Sequence, residues 1–306
     1  MKLVRFDAGD GARIGVLNGE PGSDGARVVD LEAAARILGL DRARFPQSMR
    51  AFLAEGSPAL EAAKGILERF QTMPLDPPAA FSLSSVRLCP PVGDPGKIIC
   101  VGQNYRDHCE EQHRPIPARP IIFAKFATAL IGPHEAIRIP KLSNQVDYEA
   151  ELAFVIGAGG RYIAEADAMR HIAGYVCFND VSARDIQFGD GQWVRGKSFD
   201  TFAPTGPALV TPDEVSNPHE LDIRLTLNGR VMQQSNTRNL VFGVGYLVSF
   251  LSQVMTLEPG DIISTGTPGG VGVFRDPPVF LKPGDVVEVS IDRVGTLTNP
   301  VAAEKV

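Results

Sequence analysis

The stretch VDYEAELAFVIG (residues 146–157) sets two glutamates one residue apart at the head of an apolar run. In an extended chain side chains alternate faces, so Glu149, Glu151, Ala153 and Val155 share one face and Ala150, Leu152, Phe154 and Ile156 the other. Both acids then point the same way, about 6 to 7 Å apart. Like charges at that distance beside apolar neighbours raise each other's pKa, unless the face is solvated or a cation lies between them.

Working outward, the apolar run GYVCFND (174–180) ends in Asp180. Returns of about thirty residues often bring two strands side by side in one sheet, which would turn Asp180 towards Glu149 and Glu151. Three converging carboxylates without His or Cys suit a hard divalent cation, Mg2+ or Mn2+, and argue against zinc. The alternative places the glutamates on the solvated face of an edge strand. Spacing alone leaves both open.

Beyond this strand the same texture recurs in KIICVG, PIIFAKF, EAIRIP, GPALV, LDIRLTL, DIIST, DVVEVSI and TLTNPV, all short β-like runs. Asn228-Gly229 supplies the two positive φ values of a type I′ hairpin, and a second hairpin is expected over 292–295. Helices are the minority here, at AEADAMRHI (164–172) and GVGYLVSFLSQVM (243–255). Upstream, KLVRF, RIGVLNG and ARVVDL read as strands. DLEAAARIL, SMRAFLAEG and SPALEAAKGILERFQ read as helices, the last with Leu60, Ala63, Leu67 and Phe70 at helical spacing. Six prolines between residues 73 and 96 (Pro74, Pro77, Pro78, Pro90, Pro91, Pro95) place a boundary near residue 80. The expected class is α+β, with a small α/β domain over 1–80 and a β-rich domain over 81–306.

Composition narrows the function. The chain has 306 residues, 44% hydrophobic and 22% charged, enough for a sizeable core. A net charge of -6 and no dense Lys/Arg run argue against nucleic acid and anionic membrane as partners. No segment approaches the roughly 18 apolar residues of a membrane span, and the start lacks an apolar leader, so a cytoplasmic protein is expected. Cys89, Cys100, Cys109 and Cys177 form no C-x-x-C pair and read as reduced, packed thiols.

Other motifs carry candidate chemistry. GQWVRGKS (191–198) matches the phosphate-loop string, but ARDIQFGD before it is no apolar strand and FDTFAPTGP after it no helix, so a nucleotide site is rejected. Lys197 remains a cation able to steady a developing oxyanion, or a surface lysine. In QNYRDHCEE (103–111), His108 and Glu111 would be neighbours on one helical turn, an imidazole oriented by a carboxylate and a candidate general base. ISTGTPGGVG (263–272) is a strand entering a glycine-rich turn that either approaches a ligand or is only a tight turn.

In order, GQNYRDHCEE, FAKF, DYEAELAFVIG, GYVCFNDVSARDIQ, GKSFDTFAPTGP and GDIISTGTPGGVG resemble the fumarylacetoacetate hydrolase superfamily over about residues 97–300. The resemblance implies a β-rich roll or sandwich of that type and a homodimer. It implies a metal triad of Glu149, Glu151 and Asp180, and a His108–Glu111 dyad on a lid, with Glu110 close enough to compete for the second place. It further implies that Arg184, Gln187 and Lys197 bind substrate carboxylate or stabilise an enolate, and that Tyr105 and Thr267 contact substrate. The expected reaction is Mg- or Mn-dependent hydrolysis of a C–C bond in a β-diketo or acylpyruvate-type acid through an enolate held by the metal. Oxaloacetate tautomerisation or decarboxylation, or 2-hydroxymuconate-type isomerisation, is the alternative at the same site.

Overall fold

The computed structural model describes residues 1–19, 25–71 and 79–304. The chain opens with β1 (Lys2–Asp7), β2 (Ala12–Asn18) and β3 (Arg27–Asp30), then α1 (Leu31–Ile37), α2 (Met49–Ala54) and α3 (Ser57–Phe70). Asp30 and Ser48 accept backbone N–H bonds from Ala33 and Ala51, capping α1 and α2 where the sequence places polar residues before apolar ones. There follow β4 (Ala80–Ser82), β5 (Arg87–Cys89), β6 (Ile98–Gly102), α4 (Arg106–Glu111), β7 (Ile121–Lys125), β8 (Leu130–Ile131), β9 (Ile137–Ile139) and β10 (Val146–Asp147). Then come β11 (Ala150–Ile156), β12 (Ile172–Asn179), β13 (Ser182–Ala183), α5 (Arg184–Asp190), α6 (Val194–Lys197), β14 (Ala203–Val210), β15 (Asp222–Leu227) and β16 (Arg230–Asn236). The chain closes with α7 (Val244–Ser252), β17 (Ile262–Ser264), β18 (Val286–Ile291) and β19 (Gly295–Ala303).

Most strands join one sheet in the order β4-β3-β2-β1-β14-β12-β11-β17-β6-β7, and a second sheet runs β16-β15-β18-β19-β9. This is the expected α+β, sheet-rich class. The N-terminal strands extend the large sheet, because β1 pairs antiparallel with both β14 and β5. The boundary expected near residue 80 adjoins residues 72–78, and Pro74, Pro77 and Pro78 lie outside the described residues.

β11 shows why the founding strand is apolar on both faces. It lies between β12 and β17, and all seven residues are buried. Leu152, Phe154 and Ile156 enter a core shared with the second sheet and α7. Ala153 and Val155 enter another core, under the N-terminal helices. Burying each large side chain contributes about 1.5–3 kcal/mol, so the strand is fixed in register by both layers. The edge-strand alternative is therefore excluded.

Local differences have local causes. In α3 the buried face is Ala59, Ala63, Ile66 and Phe70, while Leu60 and Leu67 are only partly buried, so the helix is rotated from its expected setting. The small Ala59 and Ala63 let it approach the strands closely. Residues Glu165–His171 form a 3-10 helix instead of an α-helix. Asn228 and Gly229 do take positive φ values of 53° and 78° between β15 and β16. All four cysteines are free and buried.

Candidate active site

Strand pairing assembles the acids. β11 and β12 run antiparallel with Ala150 opposite Asn179, so Glu149 and Asp180 meet just beyond the paired ends. The Asp180 N–H donates to the Glu149 carbonyl at 3.0 Å, and the Glu149 N–H donates to the Asn179 side chain at 3.0 Å. Glu149, Glu151 and Asp180 are buried, each offering a carboxylate oxygen within 4.8 Å of the others.

Three cations face them. Lys197 Nζ lies 2.7 Å from both Glu149 and Asp180, Arg184 lies 2.7 Å from Glu149, and Lys125 Nζ lies 2.6 Å from Asp180. Burial pushes the Glu149 carboxyl up, but Lys197 and Arg184 outweigh it and hold it at about 2. Glu151 has the opposite fate: burial, then the charges of Asp180 and Glu149, raise it well above the usual carboxylate range. Its Oε2 accepts from Ser264 Oγ and the Gly266 N–H, which orients the carboxyl without neutralising it. A hard divalent cation fits this set, since it would favour the ionised form of Glu151 that the neighbouring carboxylates disfavour. Glu149, Glu151 and Asp180 are the residues able to hold it.

The dyad lies on α4. His108 Nδ1 is 3.2 Å from Glu111 Oε2, and Glu111 Oε1 accepts from the Gly270 N–H at 2.8 Å. Glu110 is exposed and has no part in this pair. Gly270 takes φ +101°, and a Cβ there would lie 2.3 Å from the Met232 carbonyl, so glycine is required at this close approach. The glycine-rich turn thus serves the site's own acids: Gly266 serves Glu151, Gly270 serves Glu111, and Gly272 and Val273 serve Asp147.

His108, Glu149, Glu151, Arg184, Gln187, Lys197 and Thr267 all line one cavity with about 90 Å³ of space. Phe123, Phe188, Trp193 and Phe274 supply apolar walls. Asp180 is reached through Lys197 and Glu111 through His108. Tyr105 is not brought to this cavity: it is fully buried, and its hydroxyl has no hydrogen-bond partner among the described residues. Thr265 also turns away, donating to the Leu152 carbonyl. The GQWVRGKS string enters from α5 and spans the single turn α6, not a strand leading into a long helix, so no phosphate cradle forms.

Four residues were missed by sequence reasoning. Lys125 and Asp147 are buried ion-pair partners of Asp180 and Arg184. Gln233 accepts from the Ala150 N–H and donates to Thr267 and the Pro268 carbonyl, and Ser264 donates to Glu151. Asp147 had a legible signal, since it extends the period of Glu149 and Glu151 by one step. So did Lys125, which shares the inward face of β7 with Phe123. Lys125→Met is expected to destabilise the protein by about 3 kcal/mol, because Asp180 loses one of two compensating charges in a buried site. Urea unfolding measures this, and an unchanged midpoint would count against it.

A sequence model described as fumarylacetoacetate (FAA) hydrolase C-terminal matches residues 97–302. A protein of Xenopus laevis named as a mitochondrial oxaloacetate tautomerase is 49% identical over 305 residues, covering 98% of this chain and 90% of that protein. A fumarylacetoacetate hydrolase from Exiguobacterium antarcticum superposes with a TM-score of 0.81 at 36% identity, covering 99% of this chain and all of the other. A 2-hydroxyhepta-2,4-diene-1,7-dioate isomerase from Mycobacterium marinum superposes at 0.76 with 36% identity, over the full length of both chains. The mitochondrial naming of the frog relative overturns the cytoplasmic expectation. That expectation rested on the lack of an apolar leader, and mitochondrial targeting segments are amphipathic and Arg-rich instead. No helix among the described residues is long and apolar enough to cross a membrane.

Proposed function

The chain belongs to the fumarylacetoacetate hydrolase family, and from that premise we propose that it is an oxaloacetate tautomerase interconverting the enol and keto forms. The reading is carried by His108, paired with Glu111, opening into the same small cavity as Glu149 and Glu151 of the acid cluster. Tautomerisation needs no more than this. In ketonisation an O–H bond at C2 breaks and a C–H bond at C3 forms; no carbon–carbon bond breaks and no water is consumed.

His108 is placed to hand on that proton, with Glu111 orienting the ring and Gly270 holding Glu111. Lys197 and Gln187 line the cavity where they can meet negative charge developing on the C2 oxygen, each worth a few kcal/mol in a dry site. A divalent cation, Mg2+ or Mn2+, held by Glu149, Glu151 and Asp180 would polarise the keto-acid oxygens as a Lewis acid.

The expectation of C–C bond hydrolysis has less support. The tautomerase relative matches nearly the whole chain at 49% identity, above the 36% of the solved hydrolase. The test is the decay of enol-oxaloacetate absorbance with purified protein, in Mg2+ and then in EDTA, alongside an acylpyruvate panel. Metal-dependent acceleration without release of pyruvate is expected. Acylpyruvate cleavage with no acceleration of ketonisation would return the assignment to the hydrolase.

A further inference from the structure

Three cationic side chains line the cavity: Arg184, Lys197 and Arg114. Two are engaged with protein carboxylates, Arg184 with Asp147 and Glu149 and Lys197 with Glu149 and Asp180. Arg114 is different. Its side chain makes no ion pair or hydrogen bond among the described residues.

The backbone fixes where Arg114 stands. α4 ends in a left-handed His113 at φ 52°; the His113 N–H donates to the Glu110 carbonyl and the Arg114 N–H to the Cys109 carbonyl, both at 3.0 Å. This double closure is the Schellman arrangement that turns a chain sharply at a helix end. Arg114 is therefore anchored to the helix that carries His108 and Glu111, and returns to the rim of the cavity they face.

We propose that Arg114 binds the remote carboxylate of a dianionic keto acid, and so selects dicarboxylates over monocarboxylates at this site. This rests on the tautomerase reading, whose substrate has two carboxylates. One end of such a substrate belongs with the clustered acids, the dyad and any bound cation. The other end meets Phe123, Phe188, Trp193 and Phe274, which supply no opposite charge. A guanidinium at the rim matches such a carboxylate with a two-pronged, charge-assisted bond that these rings do not offer. Most exposed arginines are merely solvated; this one is distinguished by lining the cavity while its guanidinium is unpaired among the described residues.

Malate and lactate, which differ in the remote carboxylate, are titrated calorimetrically in Mg2+ into wild-type protein and Arg114→Gln. Wild type is expected to bind malate at least about tenfold tighter than lactate, the scale of one charged hydrogen-bonded contact. The substitution should abolish that preference and leave lactate affinity unchanged. A retained malate preference in the variant overturns the proposal, as does a wild type without one or an equal loss for both ligands. Enol-oxaloacetate turnover is measured beside it. A wild type inactive in ketonisation but losing its malate preference on substitution refutes the tautomerase reading and leaves the carboxylate selector standing.

Discussion

Glu151→Gln is expected to lower enol-oxaloacetate turnover by at least about 100-fold, since even partners of metal ligands cost 10- to 100-fold when removed. The substitution keeps the shape that Ser264 and the Gly266 N–H hold. What it removes is the charge whose ionised form is disfavoured by burial and by Asp180 and Glu149. Activity and stability should therefore part company. In EDTA the variant should resist urea as well as wild type or better, because an uncharged amide suits a buried position where burial and the neighbouring carboxylates disfavour a charge. Calorimetric titration should show weakened Mg2+ binding. Near-normal turnover in the variant would remove Glu151 from the proposed ligand set.

The second large effect concerns the proton. His108→Ala should reduce kcat by about 10²- to 10⁴-fold, the range spanned by a positioned acid–base group, while Mg2+ affinity holds. Glu111→Gln should have a smaller effect in the same direction, because the Gly270 N–H can still hold the amide oxygen and leave the ring partly oriented. If the alanine variant turned over normally, proton transfer would have to be reassigned. A parallel loss of Mg2+ affinity would mean that the helix had shifted the acids rather than lost a proton carrier.

The legible part of the site is the part written in short range. Period two placed Glu149 and Glu151 together, and a single helical turn placed Glu111 beside His108. Asp180 was legible at one remove, through the usual pairing of strands joined by a short return. Gln233 was not found, because it acts on residues far away in the chain, Ala150 and Thr267, and the alternation that sets Lys125 beside Phe123 did not disclose its distant partner, Asp180. Tyr105 shows the converse, since adjacency to the dyad did not bring it to the cavity.

The sequence by itself determined the α+β class, the alternation of the central strand, the hairpin at Asn228-Gly229 and the family, because these depend on local periodicity, turn chemistry and the order of motifs. Tertiary structure alone decided that the strand is central and not an edge, that three cations face three acids, and that the glycine-rich turn hydrogen-bonds Glu151 and Glu111. Those outcomes depend on which distant segments share a boundary of low dielectric, where one unpaired charge costs more than any local preference supplies.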